Sequence, residues 1–141
     1  GIPQKNTNKL KNKLFGIECN FDLLNGIDFK KGCYVGQENT ARIKLKNKIN
    51  KRLLPIKIIK GKIGGDDVIF NKNEDIGKIL IDEDFPFALI KITAKKLDFN
   101  TKYNTNSATL KIIKPNWLNL SWQNYNKSKQ GANYLIISNK C

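Results

Sequence analysis

The chain has 141 residues, three cysteines, no histidine and a formal net charge of +14 at pH 7. That is one domain of ordinary size, and with 40% hydrophobic residues it can bury a core without help from disulfides. Cys19, Cys33 and Cys141 form no CxxC pair, so with no histidine a self-contained zinc site is not expected, and a Cys–His mechanism within the chain is excluded. The odd, scattered thiols fit a reducing compartment. No signal-peptide pattern and no apolar run of membrane-spanning length is present. Asn, Lys and Ile are abundant together, as AT-rich coding produces. Many lysines therefore read as solvated filler, with affinity for polyanions as the alternative.

Gln4 to Lys13 is polar and basic around Leu10 and reads as an exposed loop. Asn25-Gly26, between Phe21-Asp22-Leu23-Leu24 and Ile27-Asp28-Phe29, predicts a tight turn, because both residues tolerate positive φ. Val35 to Arg42 suits a short helix. Ile43, Leu45 and Ile49 then alternate with lysines as a strand with one basic face. Leu53 to Ile59 predicts a second strand, with Pro55 marking an edge or bulge. Gly64-Gly65-Asp66 is a turn, and Val68-Ile69-Phe70 a short strand closed by Asn71-Lys72-Asn73. Ile76–Asp82 and Phe87–Thr93 pair as a hairpin around residues 83–86, and Ala108 to Ile113 is a further strand. This spacing of short strands predicts a small antiparallel barrel or sandwich. Trp117, in Pro115-Asn116-Trp117-Leu118, is expected to cap an apolar surface. Residues 119–141 are polar, then mildly apolar at Tyr134-Leu135-Ile136-Ile137.

The chemistry concentrates in Lys30-Lys31-Gly32-Cys33-Tyr34-Val35-Gly36-Gln37-Glu38. Two lysines and a following helix start favour the thiolate of Cys33. The alternative is a small buried packing cysteine. Gly32 and Gly36 fit either a close backbone approach to a ligand or a tight turn. Glu38 is at i,i+4 spacing from Arg42. Arg42, Lys44, Lys46, Lys48, Lys51 and Arg52 form a basic series fit for phosphate, polyglutamate or RNA, or for nothing beyond a solvated face. It lacks interleaved aromatics.

Lys31-Gly32-Cys33-Tyr34-Val35-Gly36-Gln37-Glu38 resembles the K-G-C-Y-x-G-Q-E signature of the YgfZ family. The likeness continues through Asn39-Thr40-Ala41-Arg42 and Asn50-Lys51-Arg52-Leu53-Leu54-Pro55, nearest the branch of the mitochondrial iron–sulfur assembly factor. Gly1-Ile2-Pro3 resembles the family's G-[IV]-P segment, Asn25-Gly26-Ile27-Asp28-Phe29 the run before the signature, and Lys114-Pro115-Asn116-Trp117 its closing P-x-W.

The resemblance implies a factor for assembly or repair of iron–sulfur proteins, including radical enzymes that thiolate tRNA. It implies tetrahydrofolate as the cofactor of the intact protein and Cys33 as the functional thiol. Lys31, Gly32, Tyr34, Gly36, Gln37 and Glu38 carry over as signature positions, and no resident metal is implied. The family is homologous to the glycine-cleavage aminomethyltransferase, so one-carbon transfer is the enzymatic alternative, and a basic RNA-binding module a third. The leaning is to an assembly factor and not an enzyme. The implied partners are iron–sulfur proteins or their assembly machinery, in a bacterial cytoplasm or a mitochondrial matrix and not at a membrane. Family members are more than twice as long, so the chain is expected to be a C-terminal portion. It is read as a mostly β fold: residues 1–47 an α+β remnant of the folate-binding domain, 48–118 a small antiparallel barrel, and 119–141 an extension.

Overall fold

A computed structural model of the protein describes residues 2–28, 49–92 and 97–118. Among these, six strands are formed: β1 (Lys51–Gly61), β2 (Val68–Asn71), β3 (Glu74–Ile81), β4 (Phe87–Lys91), β5 (Lys102–Asn104) and β6 (Ala108–Ile112). They close into an antiparallel barrel in the order β1-β4-β3-β2-β5-β6, with β6 returning to β1. The expected mostly β chain with a small antiparallel barrel is borne out. Closure removes the exposed edges that an open sheet of this size would leave.

The alternation of apolar residues explains which way each strand faces. Leu54, Ile56, Ile69, Ile76, Ile79, Ile90, Tyr103, Leu110 and Ile112 fill the interior, each contributing roughly 1.5–3 kcal/mol when its apolar side chain is fully buried. Tyr103 keeps its hydroxyl satisfied there. It donates to the Asp98 carbonyl at 2.7 Å and accepts from the Asp98 N–H at 2.8 Å. Trp117 packs against this core, as expected of a cap, together with Leu97 and Phe99. Gly77 lets β3 and β4 approach closely, since a Cβ there would lie 2.5 Å from the Leu89 carbonyl oxygen.

β1 is the strand on which the barrel turns. Lys51–Pro55 pair with β4, and Ile56–Gly61 with β6. Pro55 was expected at an edge or bulge; it sits inside the strand, where one partner gives way to the other. The bulge comes later, between Ile58 and Lys60. The first half of β1 is buried on both faces. Leu54 points inward, while Leu53 joins Leu80, Ile81 and Phe87 in a second cluster on the outside.

The N-terminal segment covers that outer cluster, which corrects the expected exposed loop. Thr7–Leu10 forms a 3-10 helical turn, and Leu10 and Leu14 pack on the cluster. Lys9 Nζ donates to Asp82 Oδ1 at 2.6 Å and to Glu83 Oε1 at 2.8 Å. A lysine-rich stretch thus docks through its few apolar residues and one ion-paired lysine, features that average hydropathy hides. The turn at Asn25-Gly26 is present, with Asn25 at φ 57°. It closes helical turns, and no strand occurs within residues 2–28. The Gly26 N–H reaches back to the Phe21 carbonyl at 2.7 Å. One turn earlier, Asn20 at φ 67° ends another such turn, with Phe21 N–H on the Gly16 carbonyl and Asn20 N–H on the Ile17 carbonyl. That is the Schellman pattern for ending a helical turn with a left-handed residue. β5 was not anticipated. The strand expected over residues 43–49 and the helix over 35–42 lie outside the described residues but for Ile49, which is not in a strand.

The Lys9 bond is the main cause that holds the Asp82 carboxyl below its ordinary value of 3.8, with burial opposing. Asp66 is lowered likewise, first by Lys78 and then by Lys13. A carboxylate lowered by folding contributes stability that is complete above its unfolded value and lost as pH falls through its folded one. Acid unfolding is therefore expected to set in below about pH 4. In an acid titration followed by circular dichroism, Asp66→Asn/Asp82→Asn should flatten the loss. An unchanged acid limb would mean these pairs contribute nothing.

Candidate functional site

The signature residues Lys31, Gly32, Cys33, Tyr34, Gly36, Gln37 and Glu38 lie outside the described residues, as do Arg42, Lys44, Lys46 and Lys48. What the structure shows is the frame from which that stretch departs and to which it returns. Its centre is Arg52, the second residue of β1. The side chain is 4% exposed, and that of its partner Asp22 10%. Nη1 donates to Asp22 Oδ1 at 2.5 Å and to the Ile17 carbonyl at 2.6 Å, while Nη2 donates to Asp22 Oδ2 at 2.8 Å. Two parallel N–H···O bonds to one carboxylate are the geometry for which guanidinium is suited and ammonium is not.

Neighbouring bonds extend this clamp. Asn20 Nδ2 donates to the Leu53 carbonyl at 2.7 Å, and the Leu53 N–H donates to the Glu18 carbonyl at 2.8 Å. Downstream, the Ile92 N–H holds the Asn50 carbonyl at 2.9 Å. The chain just before the signature and the chain just after it are therefore tied to each other and to the barrel.

Arg52 thus leaves the basic series in which it was placed. Burial and the fork to Asp22 make it internal, unable to meet a phosphate. Lys51 is exposed and sits opposite Lys91. Asp22 and Asn20 were not singled out from the sequence. A usable signal existed: the chain holds 26 Lys+Arg, and only Arg42 and Arg52 are arginines. Where lysine serves everywhere else, an arginine marks a site that needs a planar fork.

Cys19 is a half-buried free thiol. Burial first, and Glu18 second, push its pKa up, which keeps it protonated and unreactive at neutral pH. No group of three or more His, Cys, Asp or Glu suited to a metal occurs among the described residues.

A cleft of about 330 Å³ opens beside the barrel between Ile2-Pro3 and the loop before β4. Pro55, Phe85 and Ile113 line it, with Phe87 and Ile81 also contributing. It brings together two stretches that carried the family resemblance, Ile2-Pro3 and Pro55. Its acids are engaged with lysines, Asp84 with Lys5 at 3.7 Å and Glu83 with Lys9 at 2.8 Å. Among the described residues that line it, it offers apolar contact and no cysteine.

No protein-family model matches the chain. Curated proteins do. Over 55 residues, 39% of this chain, it is 47% identical to the Neurospora crassa protein named iron-sulfur cluster assembly factor IBA57 homolog, mitochondrial. It is 48% identical over 56 residues, 40% of the chain, to the Dictyostelium discoideum protein of the same name. A third of that name, from Phaeosphaeria nodorum, is 42% identical over 67 residues, 48% of the chain. The matched segments span only 12%, 14% and 16% of those relatives. The resemblance read from the signature is borne out by relatives that carry this name.

Proposed function

We propose that the chain is part of a factor for the assembly or repair of iron–sulfur proteins, with Cys33 as its functional thiol. The observation that carries this reading is the Lys31–Glu38 signature in a chain similar to several iron–sulfur cluster assembly factor homologs. The frame supports it. A buried guanidinium–carboxylate clamp ties both flanks of the signature to a closed barrel. Both flanks of the stretch that carries Cys33 are thereby held, while Cys19 stays protonated.

Iron–sulfur proteins or their assembly machinery are the proposed partners, including enzymes that thiolate tRNA, in a mitochondrial matrix or a bacterial cytoplasm. Tetrahydrofolate enters through the resemblance alone. The charged groups of the cleft are held by one another, so the described residues offer no cationic pair for the acidic tail of a folate.

The test is complementation. Cys33→Ala, introduced into the complete gene, is expected to leave iron–sulfur enzyme activity as low as in the deletion strain, with the protein present at normal level. Cys19→Ala is expected to restore it. Full restoration by Cys33→Ala would remove the thiol from the mechanism. Folate-dependent turnover in a glycine-cleavage assay would replace the whole reading by one-carbon transfer.

A further inference from the structure

The register of the barrel sets lysines directly opposite one another on three adjacent strands. Lys57 of β1 faces Lys111 of β6, and Lys111 faces Lys102 of β5. All three lie outside the barrel, because their neighbours Ile56, Leu110, Ile112 and Tyr103 fill its interior. Like charges in directly opposed cross-strand positions destabilise a sheet. Here two such pairs share one lysine.

A bulge enlarges the row. Lys60 lies three positions after Lys57, so in a regular strand they would point to opposite faces. The register shift between Ile58 and Lys60 turns Lys60 to face Thr109, which in turn faces Asn104. Re-aiming a side chain is a recurrent use of bulges. The second row, Lys60–Thr109–Asn104, lies alongside the first. It borders a polar groove of about 280 Å³, lined also by Gly61, Asn106 and Ser107.

Filler lysines would be mixed with acids, and on the β2–β3–β4 side of this barrel several are. Lys78 pairs with Asp66 at 3.1 Å, Lys91 with Asp75 at 2.8 Å, and Lys9 with Asp82 at 2.6 Å. Among the described residues, no ion pair reaches Lys57, Lys60, Lys102 or Lys111. The nearby acid, Asp98, accepts from the Asn100 N–H at 2.8 Å and the Thr101 hydroxyl at 2.9 Å, and attraction to Lys111 is only a minor cause of its lowered pKa. The acids collect between residues 66 and 84, on the β2–β3–β4 side. The charge is segregated, not scattered.

We propose that the outer face of β1, β6 and β5 binds the phosphate backbone of a nucleic acid, through Lys57, Lys60, Lys102 and Lys111. Strands spaced about 4.8 Å apart carry the lysines across the sheet as a track. A track beside a polar groove suits a linear polyanion with hydroxyls to hydrogen-bond, better than it suits a flat membrane surface. With no aromatic side chain in either row, the face offers no stacking platform. Recognition is therefore of backbone and not of sequence. This site is independent of Cys33 and of the proposal above.

The test uses the 141-residue chain and a fluorescein-labelled oligouridylate, read by anisotropy between about 50 and 200 mM salt. Binding is expected, weakening steeply with salt. Lys57→Gln/Lys102→Gln/Lys111→Gln should bind about tenfold more weakly or worse, with the log–log salt slope reduced by about 2, as the loss of three single-strand phosphate contacts requires. Lys72→Gln/Lys78→Gln/Lys91→Gln removes the same charge from the β2–β3–β4 side and should leave both nearly unchanged. The first variant should melt no lower than the parent, since it relieves like-charge contacts, so lost binding cannot be laid to unfolding. Lys111→Gln alone should give an intermediate loss. Equal losses from the two triple variants would reduce the effect to net charge and overturn the proposal. So would absent binding at low salt, or capture by anionic vesicles while the oligonucleotide stays free.

Discussion

Asp22→Ala lowers the stability of the fold by about 3–5 kcal/mol, the usual cost of removing one partner from a buried ion pair and leaving the other charge stranded. For a chain of this size that is a fall in melting temperature of roughly 10–20 °C. The buried guanidinium keeps its bond to the Ile17 carbonyl but loses the carboxylate that neutralises it. Arg52→Lys costs less, about 1.5–3 kcal/mol, because charge survives while the fork is lost. The informative variant is the double one. Asp22→Leu/Arg52→Leu exchanges the pair for apolar bulk and should recover most of the loss, since a buried pair is often no more stabilising than well-packed hydrophobic residues. Urea unfolding of the three variants checks this. A double variant as unstable as Asp22→Ala would mean that the Ile17 carbonyl, left without its donor, matters more than the pair.

Gly61→Ala is expected to cost about 2 kcal/mol or more from backbone strain alone. Gly61 has φ 89°, and an added Cβ would lie 2.2 Å from the Ser107 carbonyl oxygen and 2.8 Å from the Ala108 Cα. Both obstacles are backbone and cannot swing aside as a side chain would. They belong to the start of β6, the strand that closes the barrel on β1. The variant should therefore loosen the β1–β6 seam, seen as faster amide exchange at Ala108 and Leu110 than at β4. Gly64→Ala meets only the Asp67 carboxyl, at 3.5 Å, and should be nearly silent. Equal stability of the two variants would show that the seam yields where the geometry says it cannot.

The strands legible in the sequence were those with several apolar residues bounded by turn chemistry: β1, β2, β3, β4 and β6. β5 escaped because Lys102-Tyr103-Asn104 has one apolar residue and no period to read. The N-terminal docking escaped for another reason. Leu10 and Leu14 are separated by three polar residues, and only the outer patch formed by Leu53, Leu80, Ile81 and Phe87 makes sense of them. Arg52 was assigned to a surface because it follows lysines in the chain. Its actual partner stands thirty residues upstream, a pairing that spacing along one segment cannot reveal. The lysine row needed the register and the bulge, since Lys57, Lys102 and Lys111 become neighbours only in the sheet. The signature was legible as a motif from its residues alone, and the function it implies rests on resemblance.

The strand order also dictates a schedule. β2, β3 and β4 pair with their neighbours along the chain, and so do β5 and β6. Among the described strands β1 comes first and has no such partner. It pairs with β4 and β6 and must wait until nearly the whole barrel exists. Such long-range pairing is slow and leaves apolar strand exposed meanwhile. What β1 does have early is the segment before it: the Leu53 N–H on the Glu18 carbonyl, Arg52 on Asp22, and Asn20 on the Leu53 carbonyl. These turns, and the same Asp22–Arg52 pair that frames the signature, act as a built-in chaperone for the first strand while the others are being made.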